Sequence, residues 1–98
     1  MAQRTGSKLP SLEFKKELLQ LIMDGAKDQL FLDALLQDLL TPAEYRELAN
    51  RWQIVKRLEQ GMGQREIAGE LHVGLATVVR GARALLRSRG GFRRLLDR

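Results

Sequence analysis

Eight arginines stand against three acidic residues in positions 64–98, whereas positions 1–63 hold nine basic and nine acidic side chains. The formal net charge of +5 therefore belongs to the last third of the chain. Guanidinium groups are planar, permanently charged and able to pair with phosphate oxygens two bonds at a time, so a one-sided arginine cluster is suited to a polyanion. These arginines also fall in a pattern. Arg65, Arg80 and Arg83 lie within the run from Gln64 to Arg83, which reads as two short amphipathic helices around a turn at His72-Val73-Gly74. That is the arrangement of a helix-turn-helix that docks on double-stranded DNA. The chemistry on offer is recognition by charge and shape.

Catalytic chemistry has little to work with. The chain has no cysteine, which removes thiolate nucleophiles, disulfides and thiolate zinc sites, and its one histidine, His72, has no second histidine to share a metal. Glu44 and Glu47 read as capping and surface acids rather than an acid/base pair, since nothing beside them resembles a reacting centre. Gly61-Met62-Gly63 lacks the Lys-Ser/Thr end of a phosphate-binding loop. We expect no enzyme, no metal and no cofactor. No stretch approaches the ~20 apolar residues of a membrane span, and the first ten residues lack the apolar core of an export signal. A cytoplasmic protein without a membrane partner is expected. A pI of about 10.2 fits a nucleic-acid partner.

The elements that must position these arginines are helices. At 98 residues and 11.1 kDa, with 44% hydrophobic and 30% charged residues, the chain is globular in type but buries a modest core on its own, so oligomerisation is expected. Residues 1–10 read as a mobile arm and 11–98 as a single all-α domain. Ser11 caps a first helix whose Phe14, Leu18, Leu19, Ile22 and Met23 share a face, with Gly25 weakening its end. Residues 29–40 are apolar on more than one face, as in a helix clasped between others, including those of a second chain. Thr41-Pro42-Ala43-Glu44 has the form of a capping box with proline in the first helical position. A helix over 42–60 follows, with Tyr45, Leu48, Trp52, Val55 and Leu58 on one stripe and Gly61 as its left-handed stop.

The helix-turn-helix is placed at about 64–87. Its first helix spans 64–71 with Ile67, Ala68 and Leu71 inward, and its second runs over 75–87. Ala68 supplies the small residue where the two helices cross, and Val73 and Val78 supply the anchors after the turn. Beyond Gly90-Gly91, a last turn or two would dock through Phe92, Leu95 and Leu96.

The runs Leu40-Thr41-Pro42-Ala43-Glu44, Arg51 followed by Ile54-Val55, Gln64-Arg65-Glu66-Ile67 and Ala76-Thr77-Val78-Val79-Arg80-Gly81 together resemble the bacterial tryptophan repressors. The resemblance is strongest over 39–85 and looser from Ser11 onward. It implies an intertwined helical homodimer whose first three helices interlock with those of the partner. Each subunit would present its helix-turn-helix as a reading head for operator DNA. In that family L-tryptophan acts as corepressor, seated between the dimer core and the recognition helix. The implied ligand set here is Thr41, Arg51, Thr77, Arg80, Gly81 and Ala84. Arg51 and Arg80 would sandwich the indole, Arg80 would also meet the ligand carboxylate, and Gly81 would be the small residue against which the ring packs. The implied DNA-facing set is Arg65, Ala68, Leu75, Ala76, Thr77, Val79 and Arg83. Several positions depart from the family pattern: Ala68 stands where a lysine is typical, Val79 for a threonine, Arg83 for an asparagine, Ala84 for a serine and Asp38 for a leucine. Two alternatives to a tryptophan-activated repressor stay open. One is a helix-turn-helix regulator of the same group that does not respond to tryptophan, and the other is a helical protein-interaction module.

Overall fold

A computed structural model describes residues 11–98; the arm expected over 1–10 lies outside the described residues. The described residues form six α-helices and no strand. They divide after Thr41 into two compact units.

The first unit is a helical hairpin of α1 (Leu12–Gly25) and α2 (Gln29–Leu39). Ser11 caps α1 as expected: its hydroxyl oxygen accepts from the Phe14 backbone N–H at 3.0 Å, and Glu13 sits in the first turn. Asp28 does the same for α2, accepting from the Leu30 N–H at 3.0 Å. Gly25 has more to do than weaken a helix end. It is buried, and a Cβ there would lie 2.9 Å from Leu35 Cδ2, so its missing side chain lets α2 close on α1. The hairpin buries little else. Phe14 is 72% exposed, Met23 64% and Leu30 80%, which leaves the apolar stripes of both helices uncovered within one chain. Two helices have too little facing surface to bury stripes this broad.

The second unit holds α3 (Pro42–Glu59), α4 (Gln64–Leu71), α5 (Leu75–Leu86) and α6 (Gly91–Leu96). Its centre is a cluster of Ile54, Ile67 and Val78, one residue from each of α3, α4 and α5, all fully buried. Leu58, Met62, Ala68, Leu71 and Val73 pack around them. The stripe expected on α3 holds for Val55, which is buried, for Leu58, which packs on the cluster, and for the half-buried Tyr45 and Trp52, but Ile54 joins it and Leu48 leaves it. Ile54 and Val55 are its buried residues, whereas Leu48 is 48% exposed. The physical reason is that α4, α5 and α6 all contact α3, so it is gripped on several sides rather than along one seam.

Left-handed residues shape the turns on either side of α4. Gly61 (φ 91°) ends α3 as expected, with the Met62 N–H donating to the Arg57 carbonyl at 3.0 Å and the Gly61 N–H to that of Leu58 at 3.0 Å. At the end of α4 the same conformation falls on His72 (φ 57°, ψ 45°), and the Val73 N–H reaches back to the Ala68 carbonyl at 3.1 Å. A residue with a Cβ is strained there. We expect His72→Gly to stabilise the protein by about 0.5–1 kcal/mol, read as a higher urea midpoint at unchanged slope. A lower midpoint would mean that the imidazole makes a contact worth more than the strain.

The C-terminal helix docks onto α3. Phe92 stacks on Trp52 with ring centroids 6.4 Å apart and planes inclined by 29°, so Trp52 is a packing residue. Arg93 donates from Nη1 and Nη2 to the two Glu59 carboxylate oxygens at 2.8 and 2.9 Å, and again to Asp97 at 3.0 Å. That hydrogen bonding from Arg93 holds the Glu59 carboxyl below its ordinary pKa.

Candidate functional site

The exposed face of α4 and α5 is built on the buried cluster beneath it. Gly63 precedes α4 and Gly74 precedes α5, and neither glycine offers a side-chain cap. Ile67 and Val78 fix each helix to α3 from below. With those inward positions set, the helical period turns Arg65 on α4, and Ala76, Arg80 and Arg83 on α5, to the exposed side. Leu75, at 38% exposure, joins them at the start of α5. Thr77 and Val79 are half-buried. Ala68 differs from the rest of the DNA-facing set: it packs against the central cluster, and its methyl group carries no donor or acceptor. Its visible role is to let α4 lie close to its neighbours.

The two arginines expected to hold a ligand come together, but around Glu47, whose sequence position marks it as a surface acid. Glu47 Oε2 accepts from Arg51 Nη2 at 2.9 Å and from Arg80 Nε at 3.3 Å. Arg80 Nη2 in turn donates to Thr77 Oγ1 at 3.2 Å. A single carboxylate oxygen thus ties α3 to α5 through both guanidinium groups. Half of this was legible in the sequence, since a Glu four residues before an Arg on a helix is a standard pair. The other half spans 33 positions and needed the fold.

Gly81 is buried, and the direction in which a side chain would project is filled by Ile54: a Cβ there would sit 2.7 Å from Ile54 Cγ2 and 3.2 Å from its Cβ. The room expected for a flat ring is on that side occupied by α3. Ala84, one turn on, is half-buried, and Thr41, just before α3, is exposed.

A cleft of about 480 Å³ opens between the first half of α3 and the α4–α5 turn, lined by Arg46, Glu47, Asn50, His72 and Thr77 among others. Glu47 and Thr77 belong both to its wall and to the arginine cluster, whereas Arg51, Arg80 and Gly81 do not line it. Its size suits a small organic ligand. Among the described residues no group of side chains could hold a metal ion, and no helix is long and apolar enough to cross a membrane.

Comparison with known proteins gives a consistent answer. The Trp repressor protein family matches residues 13–98. Two proteins named Trp operon repressor homolog, from Vibrio vulnificus strains YJ016 and CMCP6, are each 44% identical over 54 residues, which is 54% of this chain and 53% of theirs. A Trp operon repressor homolog of Vibrio cholerae serotype O1 is 36% identical over 77 residues, 78% of this chain and 74% of its own length. The match thus spans about half the length of the first two relatives and about three quarters of the third. No solved structure matches. With the family matched over nearly all of the described helices, the chain belongs to the Trp repressor protein family.

Proposed function

We propose that this protein is a sequence-specific DNA-binding transcriptional repressor that acts as a homodimer, with α4, the His72–Gly74 turn and α5 as its helix-turn-helix. The observation that carries the reading is the arginine-bearing exposed face of α4 and α5, mounted on a fully buried Ile54–Ile67–Val78 cluster. A rigid support under an exposed basic helix is what major-groove reading requires. Arg65 and Arg83 contact phosphates or base edges, Leu75, Ala76 and Val79 offer apolar contact to thymine methyl groups, and Thr77 offers a hydroxyl. The uncovered apolar stripes of α1 and α2 supply the dimer contact, the partner's hairpin covering what one chain leaves open.

L-Tryptophan is the corepressor on this reading, with Arg51 and Arg80 as the groups that meet its ring and carboxylate. A second reading, a regulator of the same kind that ignores tryptophan, is favoured by Glu47, which engages both arginines.

A salt series tests the DNA-binding claim. Binding to a labelled duplex, followed by fluorescence anisotropy, should weaken log-linearly with salt at a slope of about −0.9 per phosphate neutralised, and Arg65→Ala should reduce that slope by about 1 if Arg65 holds a phosphate. Binding that is absent at low salt would leave the protein-interaction reading in its place.

A further inference from the structure

The Arg51–Arg80 pair is already served by an anion from the protein itself. Glu47 precedes Arg51 by one helical turn on α3, so its carboxylate is held at the pair by a rigid element rather than by a mobile loop. The side chains of Glu47, Arg51 and Arg80 are 38%, 33% and 51% exposed, and ion pairs this open to water are weak enough to be exchanged for another anion. With Glu47 in place, the Nε–Nη2 edge of Arg80, one of the edges that can take a carboxylate two bonds at a time, is occupied: its Nε donates to Glu47 and its Nη2 to Thr77. Glu47 also reaches the wall of the adjoining cleft, so it has somewhere to swing.

We propose that Glu47 is an internal competitor for the anionic group of the effector: a carboxylate-bearing effector binds Arg80 by displacing the Glu47 carboxylate, and Glu47 thereby sets the site's preference against carboxylates. This rests on the reading of Arg51 and Arg80 as effector residues. It makes Glu47 a specificity determinant, since a like-charged neighbour penalises a ligand anion and not an amine.

Calorimetry on the full chain separates the possibilities, using L-tryptophan, indole-3-propionate and tryptamine, which keeps the ring and amine but has no carboxylate. Glu47→Gln keeps the side chain's size and removes its charge. The variant should bind L-tryptophan and indole-3-propionate at least about fivefold more tightly than the wild type, with no gain for tryptamine. Glu47→Ala, with helical content checked by circular dichroism, should rank the ligands in the same order. Equal or weaker carboxylate binding in the variants, or none in any of the proteins, overturns the proposal. So does a gain shared equally by tryptamine, which would mean that the substitution only enlarges the site. The wild type reports separately on tryptophan responsiveness: no binding by the wild type beside clear binding by Glu47→Gln would refute that reading and support the competitor.

Discussion

Ile54→Ala should lower the unfolding free energy by about 3 kcal/mol, a large share of what a chain of this size has. Ile54 is fully buried, belongs to the central cluster with Ile67 and Val78 and fills the space in front of Gly81. Truncation leaves a cavity whose far wall is a glycine, with no side chain to relax into it. The same geometry makes a sharper test through Gly81→Ala. In the wild type the added methyl would meet Ile54 Cγ2 at 2.7 Å, close to the stem of a stiff β-branched side chain, so backbone must move. Alanine's better helix propensity, worth about 1 kcal/mol, offsets only part of that strain. With Ile54→Ala already present the obstacle is gone, and Gly81→Ala should become neutral or stabilising. Chemical denaturation at one fixed protein concentration should give a coupling between the two sites of about 1–3 kcal/mol. Additive effects would contradict the packing described for α3 and α5.

The second large effect concerns the effector. On the proposed reading Arg80→Ala abolishes any dependence of DNA binding on L-tryptophan while leaving the fold intact. The fold is spared because Arg80 is half-exposed and its partners Glu47 and Thr77 retain access to water. The response is lost because Arg80 is the cation that α5 brings to the Glu47–Arg51 pair. Retardation of a duplex with and without L-tryptophan measures this, alongside circular dichroism of the variant. A tryptophan effect undiminished in Arg80→Ala would remove Arg80 from the effector site.

Local signals carried much of the architecture. Gly63, His72 and Gly74 bracket α4 and α5 so tightly that α4 falls at Gln64–Leu71 as expected, and α5 ends one residue before the expected limit. The Thr-Pro start of α3 and the Gly61 stop are equally local, each fixed by the backbone preference of a single residue type. The contents of the core were harder to read. Ile54 was left off the α3 stripe because a one-sided period assumes one packing partner, and α3 has three. The contact between Gly81 and Ile54 was not legible either, since a glycine in sequence shows a missing side chain without showing what packs in the direction it leaves open. Glu47 passed for a surface acid because its second arginine is brought to it by the crossing of α3 and α5.

The central claim, that α4 and α5 read DNA from a symmetric dimer, is tested most directly by selecting binding sites from a pool of random duplexes with the full chain and sequencing what is retained. A two-fold symmetric site whose half-sites lie about one helical turn apart should be enriched, and the enrichment lost when Arg83 is replaced by alanine. A pool that shows no enrichment, or one enriched equally by the Arg83→Ala protein, would contradict it.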